Sequence, residues 1–243
     1  MKLTTKQRII YALTKVQGIG CVKGRKIASY ADFSDFGDFL ASLRNVSANE
    51  YIEIKAALEN TDFEKTEKEL EEKGVEFVTV FDEEYPKSLL PYQDMPLALY
   101  CIGDVSLLNT PSFAVIGTRF PTRYGLRATE EFVSSLSDRF TIVSGMARGI
   151  DSCAHKAALK AGGKTVAVLG SGVDIVYPPE NLSLYRDIIS FGLAVSEYEP
   201  GTPANSFNFP ARNRIISGLS RSVLVPTQLG ETVVEFMEKN FAD

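Results

Sequence analysis

FAVIGTRFPTRYGLRATEEFVSSLSDRFTIVSGMARG, residues 113–149, decides the fold. It opens on four apolar residues, Phe113, Ala114, Val115 and Ile116, that empty into Gly117-Thr118-Arg119. A helical stretch follows, and then Thr141 to Val143 empties into Ser144-Gly145-Met146-Ala147-Arg148-Gly149. Short apolar runs bounded by glycine read as strands buried on both faces of a parallel sheet. The loop after each lies at a strand's carboxyl end, where open α/β sheets bind ligands. Glycine lets backbone N–H groups approach an anion, the next helix presents its positive N-terminus, and Arg119 and Arg148 add charge-assisted hydrogen bonds. The stretch therefore predicts an anion site, with phosphate as the anion.

Outward from this core, strands and helices alternate as in a doubly wound fold. Helices are expected at 123–138, 150–161 and 181–190, and strands at 165–169, 193–195 and 223–225. The strand ending at Leu169 runs into Gly170-Ser171-Gly172. With parallel strands, the loops after 116, 143 and 169 open on one edge and line a groove. Residues 203–220 (PANSFNFPARNRIISGLS) add Phe207, Phe209, Arg212, Asn213 and Arg214 within a few positions. Arginine beside aromatics suits single-stranded nucleic acid, which asks for phosphate pairing and base stacking together. The competing reading makes both phenylalanines core and sets the arginines against Glu197 and Glu199.

The N-terminal part is helical. Thr5 to Val16 carries Ile9, Ile10 and Leu13 on one face, and Gly18-Ile19-Gly20 leads to Lys23-Gly24-Arg25-Lys26, which opens a second helix. This turn resembles a helix-hairpin-helix module that offers amides to a nucleic-acid phosphate, and reads equally as a tight turn with solvated lysines. Phe33 to Lys73 continues helical, closing at Gly74. Strands follow at 75–80 and 97–102, so the boundary is placed at residue 74: a small all-α domain, 1–74, ahead of an α/β domain, 75–243.

Composition narrows the class. The chain has 243 residues, 44% of them hydrophobic and 23% charged, as in ordinary globular proteins. The net charge of -5 argues against a uniformly basic nucleic-acid binder, but residues 51–110 hold 14 acidic against 5 basic side chains, while residues 111–243 balance at 13 each. A local basic groove is compatible with that distribution. The apolar run at Ile9–Leu13 is too short for a signal-peptide core and no run is long enough to span a bilayer, so the expectation is a cytoplasmic chain without a membrane partner. Cys21, Cys101 and Cys153 lie far apart without CxxC spacing, which predicts neither disulfides nor a metal site.

Two phosphate signatures fail. Gly163-Lys164-Thr165 ends like a P-loop, but Ala158 stands where its first glycine belongs. Gly170-Ser171-Gly172 has Ile175 at the third glycine of a dinucleotide fingerprint, so no cofactor is expected. His155, the single histidine, stands four residues after Asp151 on a helix, a spacing for a structural hydrogen bond. No catalytic triad or carboxylate pair is legible, and no catalytic residue is assigned. Asp174 and Glu197 follow strands, are the carboxylates expected in the groove, and read as loop caps or as contacts to sugar hydroxyls, with the structural reading preferred.

IGTR (116–119), SGMARGIDSCAH (144–155), GSGVDIVYPPEN (170–181), SEYEPGTPA (196–204) and FPARNRIISGLS (209–220) resemble the ordered motif series of the DNA-processing protein A family, also called DprA or Smf. The resemblance runs from about residue 75 to 225. The helical N-terminus is similar to the sterile-alpha-motif-like domain that precedes this fold in many members. The resemblance implies an extended Rossmann domain that is not an enzyme. It binds single-stranded DNA without sequence specificity, protects incoming DNA in natural transformation and helps load a RecA-type recombinase. Carried over by motif, Gly117, Thr118 and Arg119 form a first phosphate loop, Gly145, Arg148 and Gly149 a second, Gly170, Ser171 and Gly172 a third, and Arg212, Asn213 and Arg214 complete the groove. After Val225 the sequence departs from the family pattern: Pro226 to Gly230 leads into a short helical stretch, Glu231 to Phe241. The expectation is a truncated or divergent member, with homodimerisation and recombinase contact both tied to that region. The rival class is a nucleotide-binding Rossmann enzyme or sensor of the phosphoribohydrolase type. That class resembles a family with a PGGxGT loop, and this sequence has no PGG.

Overall fold

The computed structural model describes residues 2–226. The stretch anticipated as helical at 231–241, with the homodimer and recombinase contacts tied to it, lies outside the described residues. The chain divides into two compact units, Met1–Tyr85 with Leu90–Leu99, and Pro86–Leu89 with Tyr100–Asp243.

The first unit holds α1 (Thr5–Lys15), α2 (Cys21–Ala28), α3 (Phe36–Ser42), α4 (Ala48–Asn60), α5 (Phe63–Glu72) and β1 (Glu76–Thr79). Its centre is α1, where Ile9, Ile10, Ala12 and Leu13 are fully buried and Tyr11 meets Phe63 and Phe77 edge-on. A capping box between Thr4 and Gln7 starts this helix. The region read as continuously helical from Phe33 to Lys73 is broken into three helices. Ser47 closes a second capping box with Glu50, and the Asp62 carboxylate accepts the Lys65 N–H, so each new helix begins where a short polar side chain captures free amides. On α3 only Phe39 is fully buried. Glu67, on the charged helix α5, faces inward and accepts from the Leu3 N–H and the Arg8 guanidinium.

The glycine-lysine turn is internally committed. Lys23 pairs with Glu50, whose carboxyl is held down to about 2 by that hydrogen bond first. Arg25 donates to the Met95 carbonyl and the Tyr85 hydroxyl, and a Cβ at Gly24 would come within 2.3 Å of Leu97. These groups serve packing inside the unit.

The second unit is a doubly wound α/β layer structure, as the alternating pattern predicts. Its strands are β2 (Ala98–Gly103), β3 (Ser112–Val115), β4 (Thr141–Ser144), β5 (Thr165–Val168), β6 (Leu193–Ser196) and β7 (Val223–Leu224), ordered β2-β6-β5-β4-β3-β7. Pairing is parallel from β6 through β7, with Ala114 opposite Val143, Val143 opposite Val166 and Val166 opposite Leu193. β2 pairs antiparallel with β6.

The helices are α6 (Arg123–Leu136), α7 (Ile150–Lys160), α8 (Leu182–Phe191) and α9 (Asn208–Leu219). The chain builds β3, β4, β5 and β6 in one direction through α6, α7 and α8, then returns through α9 to place β7 beyond β3. Right-handed crossovers put the first three helices on one face and the returning helix on the other. Val115, Val133, Ile142, Ile150, Ala154, Ala157 and Ala158 form the core between α6, α7 and the sheet. Parallel pairing brings the loops after β3, β4 and β5 to one edge, and that edge carries the site.

Candidate nucleic-acid interface

The loop after β3 and the loop after β4 are clamped together. Ile150 donates its N–H to the Thr118 carbonyl at 3.2 Å, and the Thr118 hydroxyl accepts the Phe120 N–H. Gly117 leaves room for Ile150: a Cβ there would sit 2.6 Å from Ile150 Cγ1. Gly149 adopts φ +79°, and a Cβ on it would strike the Thr118 carbonyl at 2.3 Å. Both glycines are required by close approach of protein to protein.

The β4–α7 loop is held from inside. Asp151, buried in the first turn of α7, accepts the Gly145 and Ala147 N–H groups at 3.1 and 3.4 Å. An internal carboxylate thus takes amides that the sequence had offered to an external anion. Met146 sits at φ +57°, a conformation rare for a side-chain-bearing residue, and its carbonyl accepts Asn181 Nδ2 at 2.8 Å. Asn181 also donates to Ser152, so the unusual backbone is fixed by several partners at once.

Arg212 is 4% exposed and lies beneath this loop, donating from Nη1 to the carbonyls of Gly145 and Val168. Burial lowers its pKa to about 10, opposed by the attraction of Asp151. Burial likewise pushes the Asp151 carboxyl up, against the pull of Arg212. The structure thus makes Arg212 a core cation, and Asn213 accepts from its Nε. Arg214 forms a two-pronged pair with Glu197 at 2.6 and 2.9 Å and donates to the Ala211 carbonyl.

The third glycine loop is closed over. Gly170, Ser171 and Gly172 are buried. A Cβ at Gly170 would meet the Phe209 ring at 2.8 Å, and the Gly172 N–H donates to the Thr202 carbonyl. Asp174 accepts the Gly201 N–H, which caps the adjoining turn. His155 is fully buried, but its partner is Thr165 and not Asp151: Nδ1 lies 2.6 Å from Thr165 Oγ1, whose hydroxyl donates to the Ile142 carbonyl. Burial drives its pKa down to about 3, so it is neutral and structural at ordinary pH.

What reaches the surface is a shallow cleft lined by Arg119, Gly145, Ala147, Arg148, Tyr177, Pro178 and Phe209. The Arg119 guanidinium stands 5.9 Å from the centroid of the Phe209 ring, and Tyr177 tilts against that ring at 5.4 Å. Arg148 is half exposed on the opposite loop, and its Nε donates to Glu180. Phe207 projects with 82% exposure. Of the residues expected from sequence, Arg119, Gly145, Arg148 and Phe209 meet here, while Arg212 supports the cleft from below. Tyr177 and Glu180 were not anticipated, although the YPPE run inside GSGVDIVYPPEN carries both.

A family model for DNA recombination-mediator protein A matches residues 76–229. The chain belongs to that family. The recombination-mediator match begins at β1 and includes every lining residue of the cleft. Protein Smf of a Synechocystis species is 44% identical over 162 residues, covering 65% of this chain and 41% of that protein. DNA processing protein DprA of Streptococcus pneumoniae is 44% identical over 147 residues, covering 60% and 52% respectively. The chain spans about half the length of these curated relatives. Among solved structures, DNA processing protein A from Streptococcus pneumoniae superposes with a TM-score of 0.78 at 36% identity, covering 93% of this chain and 78% of that one. DNA processing protein A from Helicobacter pylori, described for its single-stranded DNA binding mode, gives 0.57 at 35% identity, covering 63% and 70%. No described helix of this family member is long and apolar enough to cross a membrane.

Proposed function

We propose that this chain binds single-stranded DNA without sequence preference through the Arg119–Arg148 cleft, and that it does so as a binder and not as an enzyme. The observation that carries the reading is the pairing of two surface arginines with two contacting rings, beside a loop that Asp151 and Arg212 hold from within. Arginine supplies fork-shaped donors to a phosphate, and a tyrosine or phenylalanine face accepts any base. A duplex hides its base faces, so stacking selects the single strand. The anionic partner is consistent with what the Helicobacter pylori relative is described as binding.

In this reading Arg119 and Arg148 each neutralise one phosphate, Tyr177 and Phe209 offer the stacking surface, and Phe207 extends it. Gly117, Thr118, Gly145 and Gly149 shape the loops. Arg212 with Asn213 positions the second loop from below, Arg214 fixes the strand end carrying Glu197, and the 170–172 turn seats Phe209. The helices of residues 1–74 belong to the first compact unit, which also takes in β1 and residues 90–99, and the biological setting is DNA protection and recombinase loading in transformation.

Fluorescence anisotropy with single-stranded and double-stranded oligonucleotides tests the assignment. Tighter binding of the single strand, weakened in Tyr177→Ala by about 1–3 kcal/mol per stacked base, is the expected result. Equal affinity for both forms, unchanged in Tyr177→Ala, would overturn it.

A further inference from the structure

A second cleft lies away from the site described above. It has a volume of about 470 Å³ and runs along α8 beside the end of α7, with Lys156, Leu159, Lys160, Lys164, Leu184 and Phe191 as its principal walls. The turn at 161–164 precedes β5, so this cleft stands at the amino ends of the parallel strands, opposite the loops that carry Arg119 and Arg148. An occupant here leaves the carboxyl edge open.

Three observations define what fits. Leu159 and the buried Leu184 form an apolar floor, and Phe191 stands beside it with 62% of its surface exposed. Lys156, Lys160 and Lys164 are exposed around that floor against one lining carboxylate, Asp187. Two helix C-termini contribute roughly half a negative charge each, which leaves a positive balance. Lys164 answers one of them by donating to the Phe191 carbonyl at 3.0 Å. Finally, the amides of the turn are committed: Gly162 donates to Leu159 and Gly163 to Ala158, closing the end of α7.

The side chains separate two anionic classes. The DNA cleft sets guanidinium forks beside two contacting rings, whereas this cleft sets compact ammonium groups around an aliphatic floor with a single ring and so offers no paired surface for successive bases. A peptide places a carboxylate at intervals and fills the space between with a side chain, which matches separated ammonium groups around an apolar floor.

We propose that this cleft docks an acidic segment of a partner protein, seating one large apolar side chain on Leu159 and Leu184 with carboxylates among Lys156, Lys160 and Lys164. The site would bring a second protein to the DNA-binding chain without competing for the DNA cleft.

The test is a titration of the full chain with a fluorescein-labelled synthetic peptide in which one phenylalanine is set among aspartates. Companion peptides replace the phenylalanine by serine or every aspartate by asparagine, and an unlabelled oligothymidylate serves as competitor. The expected result is saturable binding that either companion loses by about tenfold or more, and that oligothymidylate leaves in place. Lys160→Glu and Phe191→Ser, both at exposed positions, should each weaken the peptide to the same degree with an unchanged circular dichroism spectrum. Amide resonances of Gly162 and Gly163 should shift on peptide addition. Binding that survives Lys160→Glu, displacement by oligothymidylate with the same resonances moved, or self-association abolished by Lys160→Glu would each overturn the proposal.

Discussion

Arg212 lies directly under Gly145: its Nη1 donates to the Gly145 carbonyl at 2.9 Å, and a Cβ on residue 145 would come within 2.4 Å of Nη2. The same loop is gripped from the other side by Asp151. Removing Arg212 takes the donor from two buried carbonyls and an attracting charge from the neighbourhood of the buried Asp151, at a cost of about 1–3 kcal/mol for each group left unsatisfied. Arg212→Ala should therefore lower stability by that order in urea denaturation and weaken DNA binding through the loop. Asp151→Asn in the Arg212→Ala background should recover part of the loss, because the stranded carboxylate is then gone. Purely additive effects would show that the two do not act as a unit.

Glu180 competes for the arginine that the proposed function assigns to a phosphate. Its carboxyl is held below the usual range by the hydrogen bond from Arg148, so the pair persists at neutral pH. Both side chains are about half exposed, at 54% and 49%, which makes the pair weak and exchangeable. Glu180→Gln should raise affinity for a single-stranded oligonucleotide by about two- to fivefold at low salt. Unchanged or weaker binding in anisotropy would mean that Arg148 meets its phosphate without leaving Glu180.

Arg214 separates a structural cation from a DNA-facing one. Its guanidinium is bound to Glu197 by two hydrogen bonds and is mostly covered. Arg214→Ala should reduce thermal stability while leaving the salt slope of DNA binding within error. A slope that falls in Arg214→Ala as it does in Arg119→Ala would place Arg214 on the DNA.

His155 gives the fold an acid-sensitive point. Its folded-state pKa of about 3 lies below the usual 6.5, so the folded chain binds fewer protons and its stability falls as pH drops below about 6.5. Asp151 runs the other way, because a raised carboxyl contributes stability that is lost as pH rises through its folded value. Between pH 7 and 5 the histidine contribution amounts to about 1–2 kcal/mol. His155→Asn, which keeps a donor toward Thr165, should show a smaller loss of urea midpoint over that interval. Identical pH profiles would remove His155 as the cause.

The sheet was legible because short apolar runs ending in glycine leave few alternatives to buried parallel strands, and 113–116, 141–143 and 165–169 each fall within a residue or two of the strand found. The helix starts at Ser47 and Asp62 were missed because charge and helix propensity look continuous across them, and only the capping contacts mark the breaks. The glycines were placed in the right loops, but their purpose was hidden. Close approach to an anion and close approach to Ile150, Arg212 or Phe209 leave the same mark on a sequence, and those partners lie as far as 67 residues away. Arg212 was unreadable as a core residue for the same reason, since its compensating Asp151 belongs to another motif. Tyr177 was readable only in retrospect, as an aromatic followed by two prolines on the rim that faces Phe209.

The central claim is that Arg119 and Arg148 carry the phosphate contacts. Anisotropy of a labelled oligothymidylate, measured over a salt series for the native chain and the Arg119→Ala/Arg148→Ala variant, tests it most directly. Two phosphates neutralised on a single strand predict a slope of log affinity against log salt of about -1.4 for the native chain, falling toward zero in the variant. A variant that keeps the native slope would contradict the account.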